Sequence, residues 1–220
     1  MAFVTRTLRC VTALTASAPD TAPLEGLCGT LLDIIDVFAK GGAVPNAEAA
    51  LNAKALLQAA SLVDAVCLEM LPAPRLGLAS KLRAVRVLNA VAVAADEAVL
   101  GCLLSTTSGV NVLKDIVGPL LAVDTPLPLR SALDQMLADA LARNAGLRES
   151  VAQDIETGNQ AGQRVVAVLQ EAASDVKGGS ANLPGPSVWF AAHLVGHCIR
   201  GDAALKSRLS LRGASDGEPA

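Results

Sequence analysis

Apolar residues recur at helical spacing along nearly the whole chain, in segments separated by glycine, proline and asparagine. A strand would instead alternate apolar and polar residues, so this periodicity predicts a train of short helices. The breaks between them include Gly41-Gly42, Pro72 and Pro74. We predict helices near residues 24–40, 46–71, 75–95, 97–104, 109–123, 127–142, 145–155, 160–173, 186–200 and 202–210.

Composition agrees with an all-α fold. The 220 residues are 52% hydrophobic and only 2% aromatic, with no tyrosine, a mixture that favours helices packed through small side chains over a β-sandwich. A chain of this length can bury a sizeable core. The net charge of −3 lacks the positive field that attracts phosphate backbones, so nucleic acid is not expected as a partner.

The chain also resembles itself at a fixed offset. Leu82-Arg83-Ala84 recurs 47 residues later as Leu129-Arg130-Ser131, and the same offset relates residues 97–100 to residues 144–147. A third copy extends from Trp189 to Leu205. The offset lies within the roughly 40–47 residues of armadillo and HEAT units, which stack because a single unit cannot cover its own apolar face.

We therefore predict an all-α, armadillo/HEAT-like helical-repeat solenoid over residues 24–212, with an irregular helix bundle as the alternative. Residues 213–220 are expected to form a flexible tail. The residues expected to point into the core are Leu82, Leu88, Leu133, Leu137, Leu194 and Ile199.

Residues 1–23 form an N-terminal segment with two interpretations. Arg6 and Arg9 precede the first acidic residue, Asp20, which is typical of a mitochondrial presequence. The alternative is a first amphipathic helix of the array. Mean hydropathy is +0.45, but the longest informative stretch without charged residues, residues 98–113, contains several polar residues and is shorter than the ~18 to 20 apolar residues of a membrane span. We predict no transmembrane helix.

The cysteines do not suggest a metal or disulfide framework. They are odd in number, widely spaced, without a CxxC pair, and set among apolar residues, which predicts buried, reduced thiols. The five are Cys10, Cys28, Cys67, Cys102 and Cys198.

One pair of residues has the spacing of metal ligands. His193 and His197 lie one helical turn apart and are followed by Cys198. Residue 194 is leucine and no acid lies between the histidines, so the HExxH motif is missing. We predict no metal site, no catalytic residues and no cofactor; a helical enzyme using His193, His197 and Cys198 is an alternative.

Other candidate chemistry has a simpler explanation. The glycines at 158, 162, 178 and 179 lack the spacing of a phosphate-binding loop and are expected at turns and helix ends. Asp134 and Asp139 are spaced like residues of a solvated helix face. Trp189, the only tryptophan, starts a helix after Pro184-Gly185-Pro186 and is either a core anchor or an exposed partner contact.

Residues 129–212 resemble a known family. Leu129-Arg130 begins a helix, Arg143-Asn144 forms a polar turn, and Thr157-Gly158-Asn159 forms a loop; a later helix runs from Trp189 through His197 to the turn at Asp202. In this order the segment resembles the armadillo-repeat head of the general vesicular transport factors, which are Golgi vesicle tethers. The long coiled-coil tail and acidic C-terminus of that family are absent from this sequence.

The resemblance implies a non-catalytic scaffold that captures transport vesicles between the endoplasmic reticulum and the Golgi. It implies a small Rab-type GTPase and the tethering and fusion machinery as partners, self-association through the head, and peripheral membrane attachment through partners in the cytoplasm. The expected partner-binding residues are Thr157, Gly158, Asn159, Gln163 and Trp189. A scaffold subunit of another assembly is the alternative, organellar if residues 1–18 are a presequence.

Overall fold

A computed structural model describes residues 1–40, 47–59, 61–95, 113–177 and 185–208. Within these ranges there is no strand, so the all-α prediction is confirmed. The helices are α1 (Ala2–Thr15), α2 (Ala22–Lys40), α3 (Ala47–Lys54, continued by a π-helical turn, Ala55–Ala59), α4 (Asp64–Met70, π-helical), α5 (Leu78–Ala94), α6 (Leu113–Leu121), α7 (Leu127–Arg143), α8 (Ala145–Thr157), α9 (Gln160–Lys177) and α10 (Pro186–Ile199). Residues 203–208 are also helical.

The helices pack in two rows. In the first row α2 packs against α5, α5 against α7, and α7 against α10. In the second row α1 packs against α4, α4 against α6, and α6 against α9. The rows meet where α1 contacts α2, α4 contacts α5, α6 contacts α7 and α9 contacts α10, while α3 and α8 lie beside them. Helices that follow one another in the chain thus alternate between the rows.

Two helical hairpins, α4 with α5 and α6 with α7, have the same spacing and the same capping bond. Helix α7 begins 49 residues after α5, at residues 127 and 78, and the bonds described next lie at the same offset in both hairpins. Lys81 Nζ donates to the carbonyl of Leu71 at 2.8 Å, and Arg130 Nε donates to that of Leu120 at 2.7 Å. In each case a cation near the start of the first-row helix binds the end of the second-row helix that precedes it.

The predicted offset of 47 residues is therefore wrong for this pair of helices. It aligned Arg83 with Arg130, but Arg83 is exposed whereas Arg130 is buried and bound to a helix end. The residue that shares the bond of Arg130 is Lys81. A short Leu-Arg match carries less information than the burial pattern of a whole helix.

The polar turns of the self-comparison have a common structure. Asn144 Oδ1 accepts a hydrogen bond from the amide of Leu147 at 2.8 Å, and Asp202 Oδ1 accepts one from the amide of Leu205 at 3.0 Å. These side chains are N-caps, which satisfy amides that the first helical turn leaves free. Both leucines are buried. The corresponding turn of the first copy, at residues 97–100, lies outside the described residues.

The helix predicted over residues 46–71 is interrupted. Ser61 has a φ of 53°, in the left-handed region that a helix cannot pass through. The turns on either side are π-helical, with the amide of Leu71 bonded to the carbonyl of Val66, five residues earlier. No glycine or proline marks this break, so the apolar pattern predicted one continuous helix.

One cluster of buried apolar side chains runs from Leu8 in α1 to Cys198 in α10. Of the residues predicted to point inward, four are buried, and Leu82 and Ile199 are partly buried. Helix α1 contributes to this core, because Leu8 and Thr5 are fully buried against α2 and α4. The buried residues of the inward set are Leu88, Leu133, Leu137 and Leu194.

Among the described residues no helix is long and apolar enough to cross a bilayer.

Cations also bind other helix ends. The guanidinium of Arg143 donates to three carbonyls at the end of α5, those of Ala92, Val93 and Ala95, at 3.1, 2.5 and 2.8 Å. Arg148 donates to the carbonyl of Leu141 near the end of α7 at 2.7 Å. Neither helix end has a left-handed glycine cap. A cation at this position satisfies free carbonyls and complements the negative end of the helix dipole.

Substitution of Arg143 by methionine should therefore lower the free energy of unfolding by about 1–3 kcal/mol, because it removes hydrogen bonds from a charged donor. The measurement is chemical denaturation followed by circular dichroism. Arg86→Met, which changes an exposed arginine of α5, is the control and should cost much less. Equal losses in the two variants would contradict a capping role.

Helices α8 and α9 cross closely at Gly162. A Cβ atom there would lie 2.7 Å from the Cα of Ile155 and would overlap the carbonyl of Asp154. At Gly196 in α10 the same atom would meet nothing within 4 Å. We expect Gly162→Ala to destabilise the protein by about 1–3 kcal/mol through overpacking, and Gly196→Ala to stabilise it by up to about 1 kcal/mol through helix propensity. Thermal melts of both variants test this, and a stabilised Gly162→Ala protein would contradict the close crossing.

Candidate functional site

Three polar links join consecutive helices of the first row. Arg83 of α5 forms an ion pair with Asp33 of α2. The links continue from α5 to α7 and from α7 to α10, each through one aspartate of α7, Asp139 or Asp134, as described below. We call the solvent-facing side of the first row, which carries these links, the ladder surface.

The middle link is a small amide and carboxylate network. Asn89 of α5 donates from Nδ2 to Asp139 Oδ2 at 3.0 Å, and Gln135 donates from Nε2 to Asp139 Oδ1 at 2.8 Å. Each oxygen of this carboxylate therefore has its own donor. Asn89 and Asp139 are partly buried. A partly buried carboxylate with a hydrogen-bond donor on each oxygen fixes the register of the two helices.

The ladder surface also carries apolar side chains that face solvent. On α2, Leu27, Ile34 and Val37 are exposed, with Val37 at 70%, and they follow one another at spacings of seven and three residues on one side of the helix. Further along the row the exposed apolar residues are Leu78, Val93, Leu127 and Trp189. Scattered exposed leucines are ordinary, but a series along one row of helices is typical of a protein-binding face.

The last link contains both histidines of the chain. His193 Nδ1 lies 2.9 Å from both oxygens of Asp134, and its Nε2 lies 3.1 Å from His197 Nε2. Asp134 is only 8% exposed, so it is not the solvated residue that the sequence pattern predicted. Spacing along α7 placed it correctly on the helix, but could not show that α10 packs over it.

Hydrogen bonding determines which tautomer each neutral ring adopts. The Asp134 carboxylate accepts a hydrogen bond from Nδ1 of His193. The neutral His193 ring therefore keeps its proton on Nδ1 and directs the lone pair of Nε2 toward His197. In that arrangement His197 Nε2 is the donor of the bond between the rings. Its other nitrogen, Nδ1, is buried and has no hydrogen-bond partner among the described residues.

Trp189 completes the group. Its ring stacks on that of His193, with centroids 4.6 Å apart and an interplanar angle of 21°, and it meets Phe190 edge to face at 4.9 Å. The indole is 54% exposed, so the core-anchor interpretation is wrong. Trp189 is a supported but solvent-facing aromatic side chain.

The other residues predicted to bind a partner form a tight turn between α8 and α9. Gly158 ends α8 with a φ of 67°, a conformation that glycine adopts without strain. Thr157 Oγ1 donates to the carbonyl of Gln153 at 2.8 Å, and Asn159 Nδ2 donates to Asp154 Oδ1 at 2.8 Å. The polar side chains of Thr157 and Asn159 thus bond within the turn. Trp189 lies on another helix and is not joined to this turn by any bond that the described residues show.

Gln163, the fourth predicted residue of this turn, is exposed on the first turn of α9. Its amide bonds to the carbonyl of Asn159 at 2.8 Å. The backbone of the turn is therefore well satisfied, and its partner-binding role stays a prediction.

A separate cavity of about 570 Å³ lies between α4, α6 and α9. Its polar lining includes Asp115, Asp124 and Arg164 beside the Cys67 thiol. Burial, with smaller contributions from Asp115 and Asp64, raises the pKa of Cys67 to about 12, so this thiol is protonated at neutral pH and is not a nucleophile.

The remaining thiols differ in exposure. Burial raises the pKa of Cys198 to about 12, and Cys28 is also buried. Cys10 is exposed, contrary to the prediction of a buried thiol, because it lies on the outer side of α1. Cys102 lies outside the described residues.

Comparison of the sequence with models of known protein families and with curated protein sequences found no match.

The histidine pair gives the protein a pH-dependent stability. Burial, and then repulsion from His193, lower the pKa of His197 from its ordinary value of 6.5; Asp134 and Asp139 oppose this weakly, and Arg200 adds to it. The unfolded chain then binds this proton more tightly than the folded chain. Stability contributed by neutral His197 is complete above about pH 6.5 and is lost as the pH falls through the folded-state pKa.

We therefore expect the melting temperature of the wild-type protein to fall more steeply between about pH 7.5 and 5.5 than that of a His197→Gln variant. Differential scanning calorimetry in matched buffers measures both slopes. The His193 and Asp134 pair is present in both proteins and serves as the internal reference. Parallel slopes would contradict a depressed pKa.

Proposed function

We propose that this protein is a non-catalytic helical-repeat scaffold that binds other proteins through the ladder surface. The observation that carries the proposal is the series of exposed apolar side chains on α2, α5, α7 and α10, interleaved with polar links between the same helices. Such a surface offers apolar contacts for affinity and a fixed polar frame for register.

A repeat arrangement is supported by the equal spacing of two hairpins. Helix α7 begins 49 residues after α5, and Lys81 and Arg130, also 49 residues apart, make the same bond to Leu71 and Leu120. Units that stack in this way produce extended surfaces suited to protein ligands. The two-row packing of the described helices agrees with this interpretation.

The absence of catalysis is proposed on the chemistry of the histidine group. The two rings bond to each other and to Asp134, which leaves neither nitrogen of His193 free to take a proton from a substrate. The nearest thiol in sequence, Cys198, is buried and has a pKa near 12, so it is not a thiolate at neutral pH. Covalent catalysis by a side chain needs an activated nucleophile beside its base.

We further propose that the partners are those of a vesicle tether, in particular a small Rab-type GTPase. This part of the proposal rests on the resemblance of residues 129–212 to the heads of the general vesicular transport factors. The exposed Trp189 supports it, because rigid aromatic side chains are enriched at the centres of protein interfaces.

The test is direct binding of the purified chain to immobilised Rab GTPases of the ER-to-Golgi route, loaded with GDP or with a non-hydrolysable GTP analogue. We expect retention by the GTP-bound form, and at least about tenfold weaker binding for Trp189→Ala, a loss typical of an interface hot spot. Val37→Asp, at the other end of the ladder surface, should also weaken binding, because it puts a charge on an apolar contact.

Phe3→Asp is the matched control. Phe3 is 80% exposed but belongs to α1, in the second row, so its substitution should leave binding unchanged. If Phe3→Asp weakens binding as much as Val37→Asp, the ladder surface is not the binding face. If no Rab GTPase is retained in either nucleotide state, the tether role is wrong.

A further inference from the structure

The two histidines of α10 lie at the separation of two ligands of one metal ion. Two nitrogens bound tetrahedrally at about 2.0–2.1 Å from an ion are about 3.3 Å apart, and the Nε2 atoms of His193 and His197 are 3.1 Å apart. They lie one turn apart on a regular helix, which holds both rings on the same side. The pair can therefore accept an ion with only a small rotation of the rings.

Asp134 supplies what such a site needs beyond its ligands. A metal-binding histidine usually donates its other ring proton to a carboxylate, which fixes the tautomer and makes the ligating nitrogen more basic. Asp134 holds Nδ1 of His193 in this way at 2.9 Å and is buried. The lone pair of His193 Nε2 is thus already directed toward the position of the ion.

Binding of an ion would change the tautomer of His197. Its Nε2 is the donor to His193, while the buried Nδ1 has no hydrogen-bond partner among the described residues. Binding of an ion would move the ring proton to Nδ1 and make Nε2 a ligand, so the bond between the rings would be replaced by two metal bonds. The exchange involves no oxidation or reduction.

We propose that His193 and His197 form a binding site for a divalent transition-metal ion, with Asp134 orienting His193. Among the described residues no group of three or more histidine, cysteine, aspartate or glutamate side chains could hold an ion. The protein therefore supplies two imidazole ligands. Water completes the coordination, and it can reach the site because the His193 side chain is partly exposed. Two imidazoles with open positions favour Cu²⁺ first and Zn²⁺ after it.

The chain contains its own reporter for this site. Trp189 is its only tryptophan and there is no tyrosine, so its fluorescence reports one position. The indole stacks on the ring of His193 at 4.6 Å. A Cu²⁺ ion bound to His193 would quench this fluorescence at short range, whereas Zn²⁺, which has a filled d shell, would compete without quenching.

The experiment titrates Cu²⁺ into the full chain at neutral pH while recording tryptophan emission. Cys10→Ser and Cys102→Ser are introduced throughout, because Cys10 is exposed and free thiols bind copper. We expect saturable quenching with one ion per chain, reversed by excess Zn²⁺ and by a chelator. Isothermal titration with Zn²⁺ alone should give the same stoichiometry.

Three variants decide the assignment. His193→Gln and His197→Gln each remove one of two ligands, so saturable quenching should disappear in both. Asp134→Asn keeps the ligands but changes the orienting bond, and should weaken Cu²⁺ binding by about 10–100-fold, the usual effect of losing such a partner. Glu171→Gln, a change at an exposed residue of α9, is the matched control and should bind as the parent does.

Circular dichroism melts accompany each variant. His197 is only partly buried, so His197→Gln keeps the test valid if Asp134→Asn fails to fold. Quenching that persists in folded His197→Gln, or that Zn²⁺ does not reverse, would overturn the proposal. Unchanged affinity in a folded Asp134→Asn protein would overturn the orienting role of Asp134.

Discussion

The structure depends on cations that bind the carboxyl ends of neighbouring helices. A helix leaves its last carbonyls without partners, and the described ends of α4, α5 and α7 have no left-handed glycine cap. Lys81, Arg130, Arg143 and Arg148 reach these carbonyls from other helices. Because the donor and the acceptor belong to different helices, each bond both completes one helix and positions it against the next.

Arg130 shows how much one such side chain can organise. It is buried, donates from Nε to the end of α6, and donates from a terminal nitrogen to Ser187 Oγ at the start of α10. Ser187 in turn donates to the carbonyl of Leu121, and the guanidinium lies 4.7 Å over the ring of Phe190. Three helices thus meet around one charge. This packing places the first turns of α10, with Trp189 and His193, over α7.

The sequence predicted the features that are local to one helix. Apolar periodicity predicted an all-helical chain and the burial of Leu88, Leu133 and Leu194, and polar residues before leucines predicted the turns that Asn144 and Asp202 cap. It did not predict the break at Ser61, because no glycine or proline marks that position. The apolar pattern continues across this position, so periodicity alone predicts a continuous helix.

The candidate site could be predicted only in part, for the same reason. The spacing of His193 and His197 was visible, but a missing acid between them argued against a metal site. The carboxylate that contacts them is Asp134, 59 residues away, and no pattern within one helix connects them. Trp189 was visible as a single aromatic residue, whereas its exposure depends on which side of α10 faces α7.

Burial of the thiols controls how fast they can be chemically modified. Cys67 and Cys198 are fully or almost fully enclosed and are protonated at neutral pH, while oxidants and alkylating agents react with exposed thiolates. Chemical damage at these positions must therefore wait for the helices around them to separate. The rate at which each thiol is modified therefore measures local opening of the helices around it. Cys67 reports on the surroundings of α4, and Cys198 on those of α10.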